Sequence, residues 1–133
     1  MSQEAIGIVT DFGNNTVSVS GSIMAASVVL LGFFNSANDV LVNSGQITSN
    51  NFDDAGRDQR FNNAVFTEGA NTRITNLATG VITSTTSQGS GVRVGAGGNG
   101  TVVTNAGTIT AVNSFGVDFA NLGSNAGECR IVR

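Results

Sequence analysis

Four Gly-x-Ile triplets punctuate this chain: Gly21-Ser22-Ile23, Gly45-Gln46-Ile47, Gly80-Val81-Ile82 and Gly107-Thr108-Ile109. A short β-like stretch precedes each, reading Val17 to Ser20, Leu41 to Ser44, Ile74 to Leu77 and Val103 to Ala106. The shared phrase is aliphatic, small or β-branched, Asn, small, Gly, any residue, Ile. Asn43, Asn76 and Asn105 hold the Asn position, and Val19 replaces it in the first copy. The third copy carries two extra residues between Asn76 and Ile82. Repetition with this period is the mark of stacked architectures.

A second motif follows each triplet. It reads Gly91-Val92-Arg93-Val94 and Gly116-Val117-Asp118-Phe119 late in the chain, Ala64-Val65-Phe66 before that, and Val28-Val29-Leu30-Leu31 first. In the two later copies Arg93 and Asp118 alternate with apolar residues, which predicts strands with one buried face. Val17, Leu41, Ile74 and Val103 are 24, 33 and 29 residues apart, and Ile131 is the expected fifth start. Unequal spacing between retained anchors fits a solenoid, where insertions bulge outward. The largest lies near residues 50–60, NNFDDAGRDQR, and reads as an exposed loop.

One such repeat cannot bury its apolar side alone. Stacking solves this, because each strand pairs in parallel with its equivalent about 4.8 Å away. Val17, Ile23, Leu41, Ile47, Ile74, Ile82, Val103 and Ile109 then form inner rows. Asn43, Asn76 and Asn105 form an amide ladder at one corner. Gly45 and Gly107 supply corner backbone where a Cβ does not fit. An antiparallel sandwich also has short strands and frequent turns, but repetition in phase, with no Pro and few aromatics, weighs against it. The expected fold is all-β, a right-handed parallel β-helix of about four irregular coils. Residues 1–14 form an N-terminal edge strand or cap, 15–122 the repeats and 123–133 a C-terminal edge strand.

Composition narrows function mainly by exclusion. The 133 residues include 18 Gly and lack His, Lys, Pro, Trp and Tyr. Six Arg against nine acidic residues give a net charge of −3, which is no footprint for nucleic acid. The apolar run Ile23 to Phe34 is 12 residues long. A membrane-spanning helix needs about 20. Met1 to Phe12 carries Glu4 and Asp11 and reads as no secretory leader. Cys129 is the single cysteine, and with no His beside it reads as a strand residue.

Val42-Asn43-Ser44-Gly45-Gln46-Ile47-Thr48 and Thr104-Asn105-Ala106-Gly107-Thr108-Ile109-Thr110 resemble the β-strand repeats of bacterial surface proteins. These include autotransporter passenger domains and filamentous-haemagglutinin-like adhesins. The resemblance covers roughly residues 15–122 and implies an extracellular or cell-surface β-helix serving adhesion or display. It does not extend to a membrane barrel, and Gly95-Ala96-Gly97-Gly98-Asn99-Gly100 lacks the Asp of calcium-binding β-roll repeats.

Few residues suggest chemistry. Asp53, Asp54 and Asp58 are candidate oxygen ligands for a divalent cation, though Arg57 and Arg60 among them favour a solvated loop. Asp118 is a candidate for glycoside cleavage with a second carboxylate, but a pair with Arg93 is the plainer expectation. The run Gly89 to Gly100 lacks the Lys of a phosphate loop and reads as turns. The Thr residues 83, 85, 108 and 110 form no strict Thr-x-Thr ladder of the kind ice-binding solenoids use. No enzyme and no cofactor are expected. Instead, Ala5 to Phe12 alternates like a strand, and Cys129 to Val132 like another. A solenoid has two open edges, and these lack the Pro or Lys that blunt such edges. Ile6, Ile8, Phe33, Phe34 and Ile131 are thus candidate assembly residues. The expected partner is another copy, giving a filament. A fragment of a longer adhesin and a glycan-binding or glycan-cleaving β-helix are the alternatives.

Overall fold

The computed structural model describes residues 6–33, 36–50, 62–120 and 128–131, with backbone only for Ile6, Phe33 and Glu128–Ile131. Fourteen strands follow one another: β1 (Ile6–Asp11), β2 (Thr16–Val19), β3 (Ser22–Ala25), β4 (Ser27–Phe33), β5 (Val40–Asn43), β6 (Gln46–Ser49) and β7 (Val65–Thr67). Then come β8 (Arg73–Asn76), β9 (Val81–Ser84), β10 (Val92–Val94), β11 (Val102–Asn105), β12 (Thr108–Ala111), β13 (Val117–Phe119) and β14 (Glu128–Ile131). There is no α-helix among the described residues.

Every third strand stacks on the one before. Sheet A has the order β1-β4-β7-β10-β13, sheet B β2-β5-β8-β11-β14, and sheet C β3-β6-β9-β12. All pairings are parallel. The chain is therefore a parallel β-helix of four three-strand coils, plus β13 and β14 of a fifth. Val, Ile and Thr suit this because branched side chains pack well on a pleated surface.

Register follows the repeat. Val17, Leu41, Ile74 and Val103 stack in sheet B. Ile23, Ile47, Ile82 and Ile109 stack in sheet C. The fifth start is corrected: Val103 lies opposite Cys129, and Ile131 lies opposite Asn105. Spacing does not separate the two, since Cys129 and Ile131 follow Val103 by 26 and 28 residues, both within the earlier range of 24 to 33; only Ile131 is aliphatic like the other anchors. Cys129 thus occupies the register position of the inner aliphatics.

The second motif becomes sheet A. Val29, Val65, Val92 and Val117 form its inner row. One-sided burial holds in β10, where Arg93 is partly exposed between sealed Val92 and Val94. All three residues of β13 are partly buried, however, and the outward residues Leu30 and Phe66 are buried too. The apolar run at Val28 to Leu31 is therefore ordinary core, inside sheet A between β1 and β7. Pairing of β1 with β4 slips between Val9 and Asp11. Gly32, with φ of +73°, lies at this slip, and its N–H donates to Thr10 Oγ1 at 3.1 Å. The candidate loop residues Asp53, Asp54 and Asp58, with Phe34, lie outside the described residues.

Candidate interaction surface at the coil ends

The corner between sheets B and C carries the predicted amide ladder. Asn43 Nδ2 donates to Asn76 Oδ1, and Asn76 Nδ2 to Asn105 Oδ1, each at 2.8 Å. Asn43 and Asn76 are fully buried. Their amides also donate to corner carbonyls, Gly45 and Val81 for Asn43, Gly80 and Thr108 for Asn76. The ladder needs the backbones close together. A Cβ on Gly45 would run into Gly21 O, and one on Gly107 into Gly80 O. The two extra residues of the third copy are absorbed by a local turn, with Gly80 N–H donating to Leu77 O at 2.8 Å.

A second repeated corner, between sheets A and B, escaped the sequence reading. Asn14, Asn38, Asn71 and Gly100 all have positive φ, at 57°, 63°, 57° and 72°. Asn and Gly are the residues that tolerate this conformation. The signal was present: each stands three residues before its sheet B anchor. Beside Asn38, Asp39 is fully buried. It accepts hydrogen bonds from Thr10 Oγ1 (2.9 Å), Ser36 Oγ (3.3 Å), Asn15 N–H (2.9 Å) and Asn15 Nδ2 (3.0 Å). This carboxylate is consumed by the corner. Among the described residues no buried side-chain N or O lacks a partner.

The outer faces offer little chemistry. Asp118 lies beside Arg93 on sheet A, with Nε to Oδ2 at 3.7 Å, and Phe66 follows in the same row. No second carboxylate stands in that row from Leu30 to Asp118. Gly95 to Gly100 form turns, with Gly98 N–H donating to Gly95 O at 3.0 Å. The Thr row runs Thr48, Thr83, Thr110, but Met24 occupies its first place. Among the described residues no group of three or more His, Cys, Asp or Glu is placed to hold a metal. No helix among them is long and apolar enough to cross a membrane.

The ends differ from this closed interior. Ile8, Val17 and Ile23 of the first coil are only partly buried, as are Ile109, Val117 and Phe119 at the other end. Their equivalents Val29, Leu41, Ile47, Ile82 and Val92 are sealed. Large apolar residues are also exposed near both ends: Val9, Phe12 and Met24 at one, Val112 and Phe115 at the other. Among the described residues β1, β2 and β3 are outermost strands of the three sheets, as are β12, β13 and β14. Of the candidate assembly residues, Ile6 and Ile8 lie on outermost β1, Ile131 on outermost β14, and Phe33 on interior β4. No family model, no curated protein and no solved structure matches this chain.

Proposed function

We propose that this chain is a non-enzymatic structural module that self-associates end to end through its two open coils, building a filament or surface fibre. The observation that carries this reading is the half-buried inner rows at both ends, Ile8, Val17 and Ile23 against Ile109, Val117 and Phe119. An outermost strand presents N–H and C=O groups ready to pair with another strand. Placing a first coil on a last coil buries apolar rows and pairs those groups together. Head-to-tail contacts that do not close generate open filaments. The resemblance of Val42 to Thr48 and Thr104 to Thr110 to bacterial surface repeats supports an extracellular or cell-surface setting.

The same open ends favour one other reading, in which the chain is part of a longer adhesin whose further coils cover them. Sedimentation and electron microscopy of the purified chain test the proposal. Fibres or concentration-dependent multimers are expected. A monomer that persists at high concentration overturns it.

A further inference from the structure

The two ends are ramps. Because the chain places one strand per sheet in turn, β12 on sheet C is the lowest step of the last turn, followed by β13 on sheet A and β14 on sheet B. Among the described residues, the next place along that path, above β12, holds no strand. At the other end the path begins with β1 on sheet A, then β2 on B and β3 on C. If a second copy stacked like sheet on like sheet, β1 would rest on β13. The place above β12 would then stay empty, with its N–H and C=O groups unpaired. Seating β1 on β12, β2 on β13 and β3 on β14 leaves no gap.

Exposed apolar residues point the same way. Phe12 is 96% exposed and has φ of +67°. Left-handed backbone is unfavourable for a bulky residue, and exposing the ring leaves its apolar surface in water. Phe12 stands in the corner between sheets A and B of the first coil, just before Gly13 and Asn14, which also have positive φ. Val112 and Phe115, 64% and 66% exposed, stand in the corner between β12 and β13, from sheet C to sheet A. In a like-on-like stack these corners lie on different edges of the solenoid. Advancing the second copy by one sheet puts the corner between β1 and β2 over the corner between β12 and β13.

We infer that successive copies dock advanced by one sheet around the axis, with Phe12 of one copy closing over Val112 and Phe115 of the next. Ile8 then covers the Ile109 row, and Val17 the Val117 row. This inference rests on the end-to-end reading above and adds its rotation and contact residues.

The test is proximity crosslinking of assembled material in a Cys129→Ser background, using a short bismaleimide. One variant carries Phe12→Cys and Phe115→Cys. The comparator carries Phe12→Cys and Ala120→Cys, the latter just past the end of β13, where a like-on-like stack would place Phe12. A ladder of covalent multimers is expected from the first pair and not from the second. Should removal of the rings abolish assembly, Asn14→Cys with Asn113→Cys probes the same corners with both rings kept. Multimers from the comparator, or from no pair in fibres that do form, overturn the one-sheet advance and leave end-to-end stacking standing. A Cys129→Ser chain that stays monomeric overturns the stacking itself, and this inference with it.

Discussion

Leu41 and Ile47 are fully buried, whereas Val17 and Ile23, at the same register one coil earlier, are only partly so. All four are aliphatic anchors of the same repeat. The difference is the neighbour: the second coil has a coil on each side and the first has one. In a solenoid the stability of a repeat is its own plus its interfaces, so an end coil lacks one interface that a middle coil has. The same aliphatic anchor recurs in every coil, and how far it is buried follows from whether a further coil lies on it.

The widest separation between middle and end is expected at the corner glycines. At Gly45 an alanine Cβ would meet Gly21 O and the Ser20 backbone, neither of which can step aside without shifting a coil. Gly21 heads the same triplet one coil earlier, and a Cβ there meets nothing within 4 Å. Gly45→Ala should cost on the order of 4 kcal/mol, and Gly21→Ala less than about 0.5 kcal/mol. Urea unfolding of both variants measures this; equal losses would mean that the corner glycines do not act through close approach.

Next come the inner rows. Ile47→Ala removes a fully buried side chain and should cost about 3 kcal/mol. Ile23→Ala, at a partly buried site, should cost about half as much in the monomer. If copies stack, the Ile23→Ala loss should grow with protein concentration and the Ile47→Ala loss should not, since association stabilises by mass action. Thermal unfolding over a concentration series separates the two.

Much of this was legible because strand register and repeat phase are the same information. Asn43, Asn76 and Asn105 stand at equal places in the phrase, so a parallel stack puts them in contact whatever the loop lengths. The same logic put Arg93 beside Asp118. Burial of Leu30 and Phe66 on the outward side of sheet A was not legible, because it depends on what lies across that face and not on alternation along it. The corner at Asn14, Asn38, Asn71 and Gly100 recurs three residues before each sheet B anchor, but Asn and Gly are common throughout this chain, and only the backbone conformation picks these four out. The last repeat misled most: unequal spacing allows either position, the aliphatic favours Ile131, and pairing sets Cys129 opposite Val103.

The amide ladder should show the same contrast at smaller scale. Asn76→Ala removes the acceptor for Asn43 and the donor to Asn105, Gly80 and Thr108 in a sealed corner. About 2 kcal/mol is expected, from buried groups left without partners. Asn105→Ala removes only the acceptor at the ladder's far step, while Asn76 Nδ2 keeps two carbonyls. About 1 kcal/mol is expected there. Equal costs, measured by denaturant unfolding, would mean that the corner does not act as a chain of coupled bonds.

The smallest effect is expected on the outer face, between Arg93 and Asp118. Their charged atoms are 3.7 Å apart and their side chains 18% and 23% exposed. Water and salt screen such a pair, and two long side chains lose rotamer freedom to hold it. A double-mutant cycle with Arg93→Ala and Asp118→Ala should give a coupling of about 0.5 kcal/mol, falling with added salt. β13 is the outermost strand of sheet A, so this pair joins a middle coil to the open end. A coupling several times larger would place the grip on the last strand in its charges. The expected small value leaves that grip to Val117 and Phe119, on the inner row, which are the residues an incoming coil would seal.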